Sequence, residues 1–283
     1  MMAEPIPEVP SCMTEPPPPE FTVICIDNGR RAVYCEEVYH AQVKAARLYC
    51  KTVLKCDPKN IVSIITMSSL GFGVLVHPTS DLEQIMSALR YVPCQGEGET
   101  EVQWALASAC ATFSSAPSDM NKRLLMFIGS TISLHLSEAS SYGKKLKESG
   151  VAVNIFNFFR LKIDSPYFNP KSSVLEGNYH YGRAELDLLL ATVNDDGYSH
   201  IVDIVYDYES SVIDHLRKSI LKDHDHYLKK KAAIDNEKNK SAADEKNKSG
   251  KAQEFNEKNI GAANDGYGKR FSRKKESKRG QKN

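Results

Sequence analysis

The residues of this chain that could act as metal ligands or nucleophiles form no recognisable catalytic pattern. His224 and His226 make an isolated His-x-His pair, which lacks the further ligands that a zinc site needs. Cys25 lies inside an apolar run and has no histidine partner close in sequence, which argues against a nucleophile. Asp195-Asp196-Gly197 is more typical of a turn than of a general acid–base pair. We therefore expect no catalytic residue, no cofactor and no enzymatic activity.

Other polar residues follow or precede regular segments at places where a metal ion or a partner could bind. Asp27-Asn28-Gly29 follows the first apolar run, Thr100 precedes a helical pattern, and Gly129-Ser130 follows a later apolar run. A hard cation such as Mg²⁺ needs several oxygen ligands in near-octahedral geometry. One carboxylate beside Arg31 does not supply them. Asp27 is the one carboxylate among these residues, and we expect no bound metal.

These residues can meet only if the apolar runs are neighbouring strands of one sheet. The runs alternate with segments whose apolar residues recur at three- and four-residue steps, the spacing of an amphipathic helix. The second and third strands are predicted to form a hairpin, and Ser80 with Glu83 is predicted to cap a short helix that ends near Leu89. The predicted strands cover 21–26, 61–67, 73–76, 124–128, 151–159 and 200–205, and the longer helices cover 36–56, 101–112, 137–148, 183–193 and 211–221.

Strands that read as near-continuous apolar runs and alternate with helices require a mostly parallel sheet covered on both faces. The predicted fold is a doubly wound α/β domain of the Rossmann type with one antiparallel edge strand. Ligands of such sheets bind at the carboxyl ends of the strands, the edge at which Asp27, Thr100 and Gly129 would meet. Trp104 lies on the helix predicted over 101–112 and is expected to anchor the core.

The two flanks differ in composition from the segment between them. Residues 1–20 are rich in proline and predict an extended leader, because a prolyl run lacks the backbone donors needed in a core. Residues 222–283 carry 18 Lys and Arg against 10 Asp and Glu, whereas residues 1–221 carry 19 against 26. Near-copies of Glu-Lys-Asn-Lys-Ser predict disorder over 229–283. The predicted organisation is a leader over 1–20, the α/β domain over 21–221 and a basic, disordered tail over 222–283.

Composition also restricts where the protein acts. The apolar runs are far shorter than the ~18 to 20 residues of a membrane-spanning helix, and the N-terminal residues do not read as a secretory signal. The seven cysteines form no CxxC pair, which argues against a disulfide framework or a zinc ribbon. We expect a reduced protein of the cytoplasm and nucleus with no membrane partner. The basic run over 269–282 is interpreted as a solvated charge run rather than a nuclear-import signal or a nucleic-acid contact.

The loops and their flanking strands resemble a known family. The stretches that carry the likeness are Val23-Ile24-Cys25-Ile26-Asp27-Asn28, Phe127-Ile128-Gly129-Ser130 and the run from Val151 to Phe158, with Gly197, Ser199 and His200 before the last strand. This layout resembles the von Willebrand factor A domain. Within that superfamily it is similar to the polyubiquitin-receptor subunit family of the 26S proteasome regulatory particle. The likeness covers residues 21–221.

The resemblance implies a non-enzymatic scaffold in ubiquitin-dependent protein degradation. The implied partners are subunits of the regulatory particle, with polyubiquitinated proteins as further candidates. The superfamily's metal pattern has hydroxyls at the positions of Gly29 and Arg31 and an acid at Gly129-Ser130, and the proteasomal relatives also lack a complete site. Asp27, Asn28, Gly29, Thr100, Gly129 and Ser130 thus become candidates for docking a partner, with a local capping role for Asp27 as the alternative.

Two segments depart from the family. A ubiquitin-interacting helix has an acidic cluster followed by Leu-x-x-Ala, but here Lys231 stands where the alanine should follow Leu228, so direct ubiquitin binding is in doubt. The stretch over 160–182 is longer than the family implies. It is rich in tyrosine, phenylalanine and proline, and it could be either a packed loop with aromatic anchors or a flexible insertion.

Two other functions remain open at this point. One is a von Willebrand A-like subunit of the transcription and repair factor IIH, which the basic tail would suit, although the cysteine-rich zinc modules expected there are missing. The other is a metal-dependent binder of extracellular ligands, against which the degenerate loops count.

Overall fold

A single six-stranded sheet organises the domain in the computed structural model. The structure describes residues 16–70, 73–92, 98–132, 134–158, 182–193, 198–204, 207–225, 227–229, 231–233 and 235–236. The strand order is β3-β2-β1-β4-β5-β6. All neighbours are parallel except β2 and β3, which pair antiparallel at one edge. The predicted mostly parallel sheet with one antiparallel edge strand is confirmed.

The elements follow one another along the chain as strands alternating with helices. The strands are β1 (Glu20–Ile26), β2 (Ile61–Thr66), β3 (Gly73–Thr79), β4 (Asn121–Ile128), β5 (Val151–Asn157) and β6 (His200–Asp203). The helices are α1 (Arg30–Tyr34), α2 (Glu36–Cys56), α3 (Leu82–Ala88), α4 (Val102–Ser114), α5 (Leu136–Glu148), α6 (Arg183–Val193) and α7 (Tyr208–His215), the last continued by a π-helical turn (Leu216–Ile220).

Helices cover both faces of the sheet, which explains the unbroken apolar runs of the central strands. Side chains alternate between the two faces of a strand. In β1, Ile24 and Ile26 belong to the hydrophobic cluster that includes residues of α2, α3 and α7. Val23 and Cys25 belong to the cluster on the other face, with α4, α5 and α6. All four side chains are buried.

The helix predicted over 36–56 matches α2, and its apolar stripe faces the core. Val38, Ala41 and Ala45 are buried, and Leu48 is partly buried against the same cluster. The short helix α1 was not predicted, because five residues do not provide enough turns to show a helical period.

Several local predictions differ from the structure. Asp81, not Ser80, caps α3, since its carboxylate accepts hydrogen bonds from the N–H groups of Glu83 and Gln84. Trp104 is 54% exposed rather than a core anchor. Strand β3 extends to Thr79, three residues beyond its predicted end. The last long helix begins at Tyr208, not at residue 211.

Several predictions fall on residues outside the described part of the chain. These are most of the proline-rich leader, the insertion over 160–182 apart from its last residue, the Asp195-Asp196-Gly197 turn, His226 and nearly all of the tail. The disorder of the tail stays a prediction. No helix in the described ranges is long and apolar enough to cross a membrane.

The described cysteines are free thiols. Cys25, Cys50 and Cys56 are buried, Cys35 is exposed, and Cys110 is intermediate. Burial raises the pKa of Cys25 to about 12, which disfavours the thiolate that a nucleophile requires.

A network of polar side chains lies on the sheet at the amino ends of β1 and β4. The buried Glu20 carboxylate accepts hydrogen bonds from Thr22 Oγ1 at 2.8 Å, from the Tyr49 hydroxyl, and from Arg123 Nε at 2.9 Å. Arg123 also donates from Nη1 to Asn154 Oδ1 at 2.7 Å. Each of these groups has a partner, as burial in the sheet requires.

The chain continues as helix beyond the predicted domain end at Leu221. Residues 222–225 are helical, and Leu221 and His224 are buried. Neither ring nitrogen of His224 has a hydrogen-bond partner among the described residues. Burial lowers the pKa of His224, and the Glu20 carboxylate opposes that shift in part.

We expect His224→Leu to raise the free energy of unfolding by about 1 kcal/mol at neutral pH, because it removes two buried polar atoms without partners. The unfolded chain binds a proton at His224 below pH 6.5 while the folded chain resists it. His224 therefore costs stability as the pH falls through that value.

Chemical denaturation of the two proteins between pH 7.5 and 5.5 measures this effect, and the gap between them should widen toward pH 5.5. The exposed His40 provides the matched substitution control, since His40→Leu removes no buried polar atom and should not raise the free energy of unfolding. A gap that is constant with pH would refute a neutral, buried His224.

Candidate functional site

The Asp27 carboxylate lies at the carboxyl end of β1, where the sheet connections diverge toward β2 on one side and β4 on the other. It is fully buried. Its Oδ1 accepts hydrogen bonds from Gly29 N at 2.9 Å and Thr100 Oγ1 at 2.7 Å, and its Oδ2 accepts from Gly129 N at 2.8 Å. Burial raises the pKa of Asp27, which these donors and the Ser130 hydroxyl oppose. One carboxylate thus ties the three predicted loops together.

Asn28 and Thr100 link the same edge to the end of β2. Asn28 Oδ1 accepts hydrogen bonds from Met67 N at 3.0 Å and Ser68 N at 2.8 Å. The backbone of Thr100 forms β-bridges to Ser68 on one side and Ile132 on the other. Thr100 thus lies at the carboxyl edge, as its place before the helix predicted. Its pairing with Ser68 and Ile132 could not be read from the sequence alone.

Gly29 and Gly129 are required by close packing around the carboxylate. A Cβ at Gly29 would lie 2.2 Å from Thr100 Oγ1. A Cβ at Gly129 would lie 2.8 Å from Val38 Cγ1. Both distances are shorter than real Cβ contacts, so neither position accepts a side chain without movement of its neighbours.

Ser130, in the loop after β4, and Gln42, on α2, complete the site. Ser130 Oγ accepts a hydrogen bond from Ala32 N at 3.1 Å, which fixes α1 on the loop after β4. Gln42 Oε1 accepts from Asp27 N at 2.9 Å. Gln42 was not predicted, although its signal was present as a polar residue next to Ala41 on the buried stripe of α2.

These residues do not fit a hard divalent cation. Both carboxylate oxygens of Asp27 already accept hydrogen bonds, and Thr100 Oγ1 donates to the carboxylate instead of facing a shared cation. The hydroxyl expected at Gly29 in a metal pattern would require a Cβ that collides with Thr100. Within the described ranges, no cluster of three or more His, Cys, Asp or Glu side chains could hold an ion.

Thermal unfolding should therefore not respond to divalent cations. We expect the same midpoint, within about 1 °C, in 5 mM Mg²⁺, in 5 mM Mn²⁺ and in excess chelator, because a ligand raises the midpoint only if it binds the folded state. Calorimetry measures this directly. A rise of several degrees would show that the carboxylate exchanges its donors for a cation.

The six predicted docking candidates come together as one cluster, but four of their side chains are inaccessible. Asp27, Asn28, Thr100 and Ser130 are each no more than 4% exposed. Gly29 and Gly129 are enclosed by neighbours. The cluster can therefore shape the carboxyl edge, while a direct contact with a partner needs other residues.

Large apolar side chains are exposed on segments that border this cluster along the chain. Leu70 is 70% exposed and follows Ser69, whose N–H donates to Glu99 O in the loop before α4. Trp104 is 54% exposed in the first turn of α4, and Leu136 is 53% exposed at the start of α5. All three belong to segments at the carboxyl edge, and we call them the apolar rim. The rim was not predicted from the sequence.

Comparison with known proteins identifies the fold. Residues 22–131 match the family model of the von Willebrand factor type A domain. A crystal structure of the SpRpn10 VWA domain superposes with a TM-score of 0.55 at 16% identity, covering 70% of this chain and 95% of that one. The described domain has the fold of a von Willebrand factor type A domain. Its sheet and helices confirm the fold that the loop motifs implied.

The sequence is also similar to curated proteasome subunits. It is 30% identical over 188 residues to the 26S proteasome non-ATPase regulatory subunit 4 homolog of Oryza sativa subsp. japonica, covering 65% of this chain and 42% of the relative. It is 28% identical over 143 residues to the 26S proteasome regulatory subunit RPN10 of Saccharomyces cerevisiae, covering 49% of this chain and 53% of the relative. The chain thus spans about half the length of these relatives.

Proposed function

We propose that this chain is a non-enzymatic component of the proteasome regulatory particle that acts in ubiquitin-dependent protein degradation. The observation that carries the proposal is the 30% identity over 188 residues to the regulatory subunit 4 homolog. The buried thiol of Cys25 and the occupied carboxylate of Asp27 support a role without catalysis. We expect the protein to act in the cytoplasm and nucleus, where proteasome subunits act.

The surface that we propose for docking is the carboxyl edge of the von Willebrand A domain. Asp27 and its donors hold three loops in a fixed arrangement beneath the apolar rim. Exposed aromatic residues on rigid elements are typical anchors of protein interfaces. The rim therefore supplies the direct contact, and the six buried or enclosed candidates position it.

Trp104 allows this docking surface to be tested. Trp104→Ala should reduce the recovery of regulatory-particle subunits with the tagged chain by about tenfold or more, the usual effect of removing an interface anchor. Quantitative mass spectrometry of the purified complexes provides the measurement. The unfolding midpoint of the variant should stay close to that of the unaltered chain, since this side chain is more than half exposed.

Tyr198 provides the matched control. It is 70% exposed and lies two residues before the amino end of β6, at the opposite edge of the sheet. Tyr198→Ala should leave recovery unchanged. If Trp104→Ala and Leu136→Ser both retain full recovery, docking occurs elsewhere on the domain. If the unaltered chain recovers no regulatory-particle subunit, the proposed function itself is wrong.

We also propose that the chain binds free polyubiquitin weakly or not at all. The residues after Leu221 include described helical stretches at 222–225, 227–229 and 231–233, but Lys231 replaces the alanine of the ubiquitin-interacting pattern. A long basic side chain there blocks the close apolar contact that alanine permits. Capture of purified ubiquitin chains at micromolar concentration by the isolated protein would contradict this proposal.

The alternative interpretations are less well supported. The similarity to proteasome subunits does not favour a subunit of transcription factor IIH. A metal-dependent adhesion protein requires a cation site, and the residues around Asp27 do not fit one.

A further inference from the structure

A groove between α2 and α7 lies on one face of the domain, apart from the carboxyl edge. Its cavity volume is about 490 Å³. We call it the basic groove, and its lining residues are His40, Val43, Lys44, Arg47, Leu48, Lys51, Ile213 and Arg217. The six residues on α2 follow three- and four-residue steps from His40 to Lys51, so they form one helix face about 16 Å long at ~1.5 Å per residue.

The groove concentrates positive charge on a domain that is otherwise acidic. Four of its lining residues are Lys or Arg, whereas residues 1–221 as a whole carry 19 basic against 26 acidic side chains. Lys44 forms an ion pair with Glu209, and Arg47 donates from Nη2 to Leu89 O at 2.7 Å. No carboxylate in the described part of the chain pairs with Lys51 or Arg217, and both are exposed.

Between these charges the groove has an apolar floor. Val43 is 7% exposed and belongs to the core. Leu48 and Ile213 are partly buried, and both pack against the core cluster. The apolar floor is therefore held in position by the core and is preformed for binding. Cationic side chains lie along its length.

We infer that the basic groove binds an acidic amphipathic helix from a partner protein. Carboxylates of such a helix would meet Lys51 and Arg217, and its apolar residues would cover Leu48 and Ile213. A helix of about three turns matches the length of the lined face. A phosphate backbone or a lipid headgroup layer would use the charges but would leave the apolar floor uncovered.

The probe for this site is a fluorescent peptide of about twelve residues, rich in glutamate, with leucines at helical spacing on one face. The full-length chain is titrated against it and followed by anisotropy. The double variant Lys51→Glu and Arg217→Glu should weaken binding by about tenfold, because two attractive contacts become repulsive. A peptide with serine in place of leucine should bind the unaltered chain about tenfold more weakly as well.

The matched control carries the same change in net charge on another face of the domain. Lys144→Glu and Lys147→Glu alter two exposed residues of α5 and should change the affinity by less than about twofold. Both double variants retain the basic tail, so the difference between them reports on the groove alone.

Several outcomes would overturn the inference. Equal weakening by the two double variants would show binding to net charge, and equal affinity for the leucine and serine peptides would show that the floor is not used. Duplex DNA or phosphatidylserine vesicles could instead bind more tightly than the peptide and lose the same affinity in the Lys51→Glu, Arg217→Glu variant. That result would identify an anionic polymer or a membrane as the ligand. Since the groove is separate from the apolar rim, failure of this test leaves the proposed proteasome role untouched.

Discussion

Replacement of Asp27 by asparagine is expected to lower the free energy of unfolding by about 2–4 kcal/mol. This is the cost of leaving a buried N–H donor without an acceptor or facing another donor. The carboxylate accepts from a backbone N–H on each oxygen, Gly29 N on Oδ1 and Gly129 N on Oδ2. Asparagine has one oxygen, so in either orientation its NH₂ group faces a backbone N–H. The Thr100 hydroxyl can rotate away, but the two N–H groups are fixed by the loops.

Asp81→Asn provides the matched control for this prediction. Asp81 also accepts from two backbone N–H groups, those of Glu83 and Gln84, but it does so with Oδ1 alone and at an exposed site. Asparagine is as good a helix cap as aspartate, so the expected change is below about 0.5 kcal/mol. Denaturant unfolding of both variants measures the difference. An Asp27→Asn protein with unchanged stability would show that the loops can rearrange around the amide.

The same variant distinguishes the two roles predicted for Asp27. If the carboxylate contacts a partner, association with regulatory-particle subunits is lost while stability is retained. If it caps the loops, the free energy of unfolding falls. Association with regulatory-particle subunits then falls only to the extent that the altered loops move the residues of the apolar rim. The complete burial of Asp27 favours the second result. A comparison with Trp104→Ala separates them, because that change removes the rim contact and leaves the loops intact.

The sheet could be predicted because its physics is visible in the chain. Because helices cover both faces of the sheet, both sides of each central strand must be apolar. The strands therefore appear in the sequence as continuous apolar runs, two of which end at Ile26 and Ile128. The loops after those strands must then meet at one edge, so the cluster of Asp27 and Gly129 also followed from sequence. Its hydrogen bonds did not, since Thr100 reaches Asp27 across 73 residues of chain.

Trp104 shows where sequence reasoning failed although the signal was present. The buried positions of α4 are Val102, Ala105, Leu106, Ala109 and Phe113, which follow helical spacing and leave residue 104 off that face. The prediction of a core anchor rested on residue type alone. A large aromatic outside an otherwise regular apolar stripe is better interpreted as an exposed contact residue.

Glu20 was assigned to the proline-rich leader because a buried, charged residue at the start of a strand has no signature in sequence. In the structure it is 5% exposed. Arg123 and the hydroxyls of Tyr49 and Thr22 outweigh burial, which alone would raise the pKa of the Glu20 carboxyl, and lower it below its ordinary value of 4.5. The ionised carboxylate therefore stabilises the fold above that pH, and its contribution is lost as the pH falls below about 4.5.

Glu20→Gln should consequently be the most damaging conservative change in the domain. It leaves Arg123, whose side chain is 18% exposed, as a partly buried cation without its counter-charge. Breaking a buried pair in this way costs about 3–5 kcal/mol. The variant should also lose the part of the acid dependence of stability that Glu20 contributes below pH 4.5. Denaturant unfolding at pH 7 and pH 4 tests both effects.

A double-mutant cycle determines whether charge or packing is responsible. Arg123→Met removes the orphaned cation and keeps most of the side-chain volume, so the Glu20→Gln, Arg123→Met protein should be more stable than Glu20→Gln alone by about 1–3 kcal/mol. Asn154 limits the rescue, since its Oδ1 loses the hydrogen bond from Arg123. The exposed pair of Lys218 and Asp214 should show a coupling below about 0.5 kcal/mol. A double variant no more stable than the Glu20→Gln protein would mean that the network acts through shape and hydrogen bonds, not through the charge of Arg123.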